Sequence, residues 1–255
     1  MTRVDDPGFE LILAQEAETV TALQRAPWLQ PHFVTDDWSL VIGSSATVIR
    51  TPAAVVLVDP FLAFGDGKDI GPRLQALRDA GVEADDVDVV VNTHVDHLGV
   101  NLLLDGSPAF PEARYLVPQA ELDGIRSGDH PEAADHAALL GLYDDGGIET
   151  TAGDEEVVPG VRLGDAPGHN PGHHVVWVTD GDAQAVVIGH LFLHPAQIAA
   201  PDAATTDRDP LKLAQTRRTL LARCADDDVL LIGPLFAAPG AGRVRPDGDS
   251  WRLEV

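Results

Sequence analysis

Eight apolar runs, at 38–49, 53–58, 87–91, 114–117, 156–163, 174–179, 185–188 and 229–232, are bounded by Gly, Pro or Asp. Apolar segments enriched in Val and Ile and closed by turn formers read as strands. Helix-period segments lie between them, at 70–80, 119–124, 132–143 and 210–224. The last opens after Asp207 and Asp209, whose short acidic side chains suit a helix N-terminus. A sheet must bury at least one face, so strands filling each half with helices between them predict an α/β architecture of two mixed sheets stacked face to face, helices outside. No short repeat or low-complexity linker divides the chain. A single domain over 1–255 is expected, with 1–37 as an N-terminal extension packing on it.

The 255 residues, 44% of them hydrophobic, are enough for one substantial core. Against 17 Lys and Arg stand 41 Asp and Glu, a formal charge of -24. Such a surface repels phosphate backbones and anionic lipid alike, which argues against nucleic acid and membrane partners. With Cys224 the single cysteine, no internal disulfide or cysteine-based zinc cluster can form, so any metal must be held by His and carboxylate. The N-terminal stretch carries acids where a signal peptide carries bases, and no run reaches the roughly 18 apolar residues of a membrane span. A cytoplasmic protein acting on a small molecule is the expectation. A homodimer is the usual assembly of a soluble enzyme, and the sequence leaves that open.

The ten histidines are unevenly placed. His94 and His97 follow the apolar VVVN, His169, His173 and His174 lie in APGHNPGHH, and His190 and His194 lie in VVIGHLFLHP. A lone His beside a strand is ordinarily a core or surface residue. Three clusters at strand ends are a different matter, because strand ends feed loops onto one sheet edge, where sites are built. In NTHVDHLGVN the imidazoles of His94 and His97 and the carboxylate of Asp96 fall within four residues, a spacing suited to metal ligation. Period-two alternation makes His174, at the start of a strand, point away from His173.

THVDHLGVN resembles the T-H-x-H-x-D-H-x-G signature of the metallo-β-lactamase-fold hydrolases. PGHNPGHH resembles their P-G-H-[TS]-P-G-H element, and VVIGHLFLHPAQ their strand ending in G-D. LVDPFLAFGDGKD, FPEARYLVPQAELD and the C-terminal LFAAPGAGRVRPDGDSWRLEV extend the match from about residue 38 to the end. The nearest subgroup is that of the quorum-quenching lactonases and methyl parathion hydrolase-like enzymes. The resemblance implies a four-layer αβ/βα sandwich and a two-metal hydrolytic centre.

The match departs from the pattern at its ligands. The first motif is one His short: either Asn92 stands at the first His position and His94 at the second, or two residues are missing and His94 is the first. His190 stands where the family carries the acid that bridges both metals, and a neutral imidazole offers one lone pair. Leu235 replaces the final His ligand. What remains implies at most one divalent metal, zinc first with iron or manganese next, or none. His94, His173 and His190 are the expected ligands, with Asp96 and His97 as catalytic acid and base. Asp59, Asn92 and His169 are expected around them, hydrogen-bonding and orienting the imidazoles, and Leu235, Phe236 and His194 are expected to line the substrate pocket. The implied function is hydrolysis of a small ester or lactone. Alternatives are a repurposed cyclase, lyase or dehydratase of specialised metabolism working without metal, a mononuclear iron oxygenase, and a silent binding protein.

Overall fold

A computed structural model describes residues 1–60, 70–95, 107–129, 141, 143–203 and 207–255. In its first half the strands are β1 (Thr2–Asp5), β2 (Leu11–Leu13), β3 (Leu40–Ile42), β4 (Ser45–Arg50), β5 (Val55–Val58), β6 (Val89–Val91), β7 (Arg114–Pro118) and β8 (Ile148–Thr151). The second half adds β9 (Glu156–Val158), β10 (Val161–Asp165), β11 (His174–Asp180), β12 (Ala183–Val187), β13 (Leu230–Ile232), β14 (Ala241–Asp247) and β15 (Ser250–Glu254). One sheet has the order β1-β4-β5-β6-β7-β8 and the other β15-β14-β13-β12-β11-β10-β9, while β2 and β3 form a separate ribbon. Both large sheets are mixed: β5 to β8 run parallel, as do β12 and β13, whereas the other pairings are antiparallel.

Side-chain alternation assembles the layers. Val56 and Val58 of β5, and Val89 and Val91 of β6, pack against Val161, Leu163, Val176, Ala185 and Val187 of the opposing sheet. The intervening Leu57 and Val90 point the other way, onto Leu77, Leu122 and Ile125 of the helices Gly71–Asp79 and Gln119–Ser127. In the second sheet Val175, Val186 and Leu231 face Leu213, Leu220 and Leu221 of the helix Pro210–Asp226. Strands buried on both faces read as continuous apolar runs, and the resulting order of layers is helices, sheet, sheet, helix.

Differences from the sequence expectation have local causes. The run 38–49 is broken into β3 and β4 at Gly43, which backs onto the chain at Phe236 so closely that a Cβ there would stand 2.9 Å from the Phe236 carbonyl oxygen. The run 156–163 divides into β9 and β10 around Pro159 and Gly160. Residues 1–37, expected as a packed-on extension, supply β1 as the edge strand beside β4 and place Leu29, Phe33 and Val34 in the second sheet's core. The expected helix at 132–143 falls almost wholly outside the described residues. Among the described residues no helix is long and apolar enough to cross a membrane.

Leu163 is 1% exposed and sits between the two sheets. Leu163→Ala is expected to lower unfolding stability by about 2–5 kcal/mol through lost burial and a residual cavity, measured by chemical denaturation.

Candidate metal centre

Three connections converge at one edge of the sandwich. Residues 92–95 leave β6, residues 166–173 join β10 to β11, and residues 188–191 leave β12. The first two are stitched by the His174 N–H donating to the Thr93 carbonyl at 2.8 Å. The third fits only because residue 189 is glycine: its φ is +52°, and a Cβ would lie 2.4 Å from Thr93 Oγ1 and 2.7 Å from His173 Nε2. His94, His169, His173 and His190 are thereby buried together. The ring of His94 lies 4.3 Å from that of His190, 4.9 Å from His173 and 5.3 Å from His169, centroid to centroid.

The nitrogens that meet belong to His94, His169 and His190, whose ligand atoms all lie within 4.8 Å of one another. The sequence had pointed to His173 in place of His169, and the hydrogen bonds give the reason for the difference. His173 Nε2 accepts the backbone N–H of His190 at 3.1 Å. A neutral imidazole has a single lone pair, and that contact uses it. His169 has the opposite arrangement: its Nδ1–H donates to Asp207 Oδ1 at 2.8 Å, so Nε2 is the ring's lone-pair nitrogen. Asp207 was read as a helix-start acid. The residue that caps the helix Pro210–Asp226 is Asp209, accepting from the Lys212 N–H at 2.9 Å.

His94 is oriented by a chain of two bonds. Asp59, in the left-handed region at φ +46°, accepts the Thr93 backbone N–H and the Thr93 hydroxyl, both at 2.8 Å. With its proton given to Asp59, the Thr93 hydroxyl can only accept from His94 Nδ1 at 2.9 Å, so the His94 lone pair is on Nε2. Burial pushes the Asp59 carboxyl up to about 6, partly offset by its bonds to Thr93. Burial, and then the neighbouring imidazoles of His169, His190 and His174, hold His173 well below the usual histidine range. Imidazoles whose Nδ1 is tied to an outer acceptor, as in His94 and His169, present Nε2 as a ligand atom, the form a divalent cation requires. Around an ion at about 2.1 Å three nitrogens stand roughly 3.4 Å apart, so a set within 4.8 Å needs only small side-chain adjustment to fit one.

The other expected site residues are dispersed. Asn92 turns away, its Nδ2 donating to the Leu116 carbonyl at 3.2 Å. Phe236 is wholly buried in the core against Phe33, at 6.3 Å between ring centroids. Leu235 is buried, and its carbonyl accepts the Gly43 N–H at 3.0 Å. His194 is a structural tie: Nε2 donates to the Phe33 carbonyl at 2.7 Å and Nδ1 accepts the Ala196 N–H at 3.0 Å. Asp96 and His97 lie outside the described residues. A further residue, with no signal in the sequence, is Glu121, which accepts from the loops that carry His94 and His169.

Two face-to-face mixed sheets between helices, with histidines gathered at one edge, define a metallo-β-lactamase-type sandwich. The chain belongs to the metallo-beta-lactamase superfamily, whose family model matches residues 40–251. An N-acyl homoserine lactonase of Bacillus thuringiensis is 31% identical over 114 residues, 44% of this chain and 41% of that protein. A Bacillus sp. N-acyl homoserine lactonase is 34% identical over 99 residues, 38% of this chain and 35% of that protein. The alignments therefore span about two-fifths or less of the length of these curated relatives. Among solved structures, AidC, described as a dizinc quorum-quenching lactonase, superposes with a TM-score of 0.80 at 17% identity, covering 98% of this chain and 92% of that one. The hydrolase AbOPH gives 0.81 at 19% identity, covering 99% and 93%. At these identities the likeness is one of fold.

The environment of His194 carries a pH dependence. Burial lowers its pKa to about 4 from the ordinary 6.5, the bond to Phe33 opposing this only in part. The unfolded chain then takes up the proton first as pH falls, so the contribution is complete above about pH 6.5 and lost on the way down through about pH 4. It amounts to something on the order of 3 kcal/mol. Urea denaturation between pH 7 and 4 is expected to show a steeper loss of stability in the wild type than in His194→Gln.

Proposed function

We propose that this chain hydrolyses a small ester or lactone with at most one divalent metal, held by His94, His169 and His190. The observation that carries the reading is the convergence of three buried imidazole nitrogens from three separate loops within 4.8 Å. Three imidazoles are a catalytic zinc set, and iron or manganese are the next candidates by donor type. Such an ion, when bound, would supply Lewis acidity at a carbonyl oxygen and acidify water.

The chain's own residues do the rest. Thr93, backed by Asp59, and Asp207 keep the N–H of His94 and His169 turned outward and make both rings better donors. His173, through the His190 N–H, holds the loop that presents the third ring. Asp96, two residues beyond His94, is the proposed proton acceptor for the attacking water, with His97 as its acid partner. Residue 190 is an imidazole with one lone pair where the family has its bridging acid, which supports one ion rather than two. The lactonase and hydrolase identities of the relatives support an ester-type carbonyl over the repurposed and oxygenase alternatives, and make N-acyl homoserine lactones the first substrates to assay.

Elemental analysis of protein purified without chelator is expected to give close to one metal per chain. His169→Ala should carry essentially none and lose lactone hydrolysis, whereas His173→Ala should still load one zinc when saturated. A wild-type value near two, or metal retained by His169→Ala, would overturn the assignment.

A further inference from the structure

Glu121 sits in the first turn of the helix Gln119–Ser127, where an acid ordinarily faces water and complements the helix dipole. Here the residue is 1% exposed. Its Oε2 accepts the Val95 backbone N–H at 3.2 Å and Asn170 Nδ2 at 3.1 Å, while Oε1 accepts the Gly172 N–H at 3.0 Å. Val95 follows His94, and Asn170 follows His169. We propose that Glu121 is a positioning residue of the centre, a buried carboxylate clamp that fixes the loop carrying His94 against the loop carrying His169. The proposal rests on the metal reading given above.

The chemistry of the contacts requires a carboxylate. Among the described residues two acceptor oxygens meet three donors, and an amide has only one oxygen. Glutamine would therefore set its NH2 group against either the Gly172 N–H or the Val95 and Asn170 pair. Steric fit adds a second constraint, because the loop comes close enough to the helix that a Cβ on Gly172 would stand 3.0 Å from Pro118 Cβ and 3.2 Å from both Ala120 Cβ and Glu121 Cγ. A buried charge carries a large desolvation cost, and apolar packing of similar volume commonly stabilises as well or better. Stability alone therefore gives no reason for an acid here, whereas registering two loops that leave different sheets does. His94 follows a strand of the first sheet and His169 precedes one of the second, so an error of position between the sheets would pass directly into the separation of the two ligands.

The test compares full-length wild type, Glu121→Gln and Gly172→Ala. Each is stripped of metal and titrated with Zn2+ against a chromophoric chelator, alongside hydrogen exchange of the metal-free proteins at the Val95 and Gly172 amides. Glu121→Gln is expected to keep a native circular dichroism spectrum, lose protection at both amides and bind Zn2+ about 10–100-fold more weakly. Gly172→Ala, which retains the carboxylate but displaces the loop, should weaken Zn2+ in the same direction and serves if the glutamine variant does not fold. Wild-type Zn2+ affinity in either folded variant, or a lowered melting temperature as the sole effect, would overturn the clamp. Should the wild type itself bind no Zn2+, the metal reading fails, and the exchange measurement then decides: wild-type protection of both amides in Glu121→Gln overturns the clamp, and lost protection upholds it.

Discussion

Four imidazoles, those of His94, His169, His173 and His190, share one buried knot, and the closeness of the rings constrains how each can be charged and bonded. Two like charges a few ångströms apart, shut away from water, would repel strongly and lose their hydration as well. Burial and the neighbouring rings act together on His173 for this reason. In a neutral imidazole one nitrogen gives a proton and the other receives one, so the hydrogen-bond partners decide which nitrogen faces the centre. Thr93 settles the question for His94, Asp207 for His169, and the His190 backbone for His173. The left-handed turn at Asp59, the glycine at 189 and the approach of the helix Pro210–Asp226 are the local geometry that this assignment demands.

The departures from the family pattern have a structural counterpart. Leu235, which the sequence resemblance sets against the family's final His ligand, is buried, and its carbonyl accepts the Gly43 N–H. His194 packs edge-on against Phe33, with both ring nitrogens committed to the backbone.

Central strands were legible because burial on both faces leaves an unbroken apolar signature, as in Val55–Val58, Val89–Val91 and residues 185–187. Peripheral ones were not. β1, with Arg3 and Asp5, and β8, with Glu149 followed by two threonines, are strands by virtue of their neighbours rather than of their composition. The gathering of histidines could be read from spacing, yet the choice between His169 and His173 could not. It turns on a carboxylate 38 positions away and on one backbone N–H, neither of which leaves a local trace. Glu121 looked like any acid at the start of a helix, and nothing in its flanking residues signals that it is buried.

The bond from Arg3 Nη2 to the Phe236 carbonyl, 2.8 Å long, joins the third residue to one near the other end of the chain. The Phe33 carbonyl is likewise held by His194, and Pro234 by Ser45. Contacts this distant in sequence make for slow, late assembly. During synthesis β1 would emerge from the ribosome long before Phe236 exists, so it must wait, partly unmoored, while the 233 positions that separate Arg3 from its anchor are made.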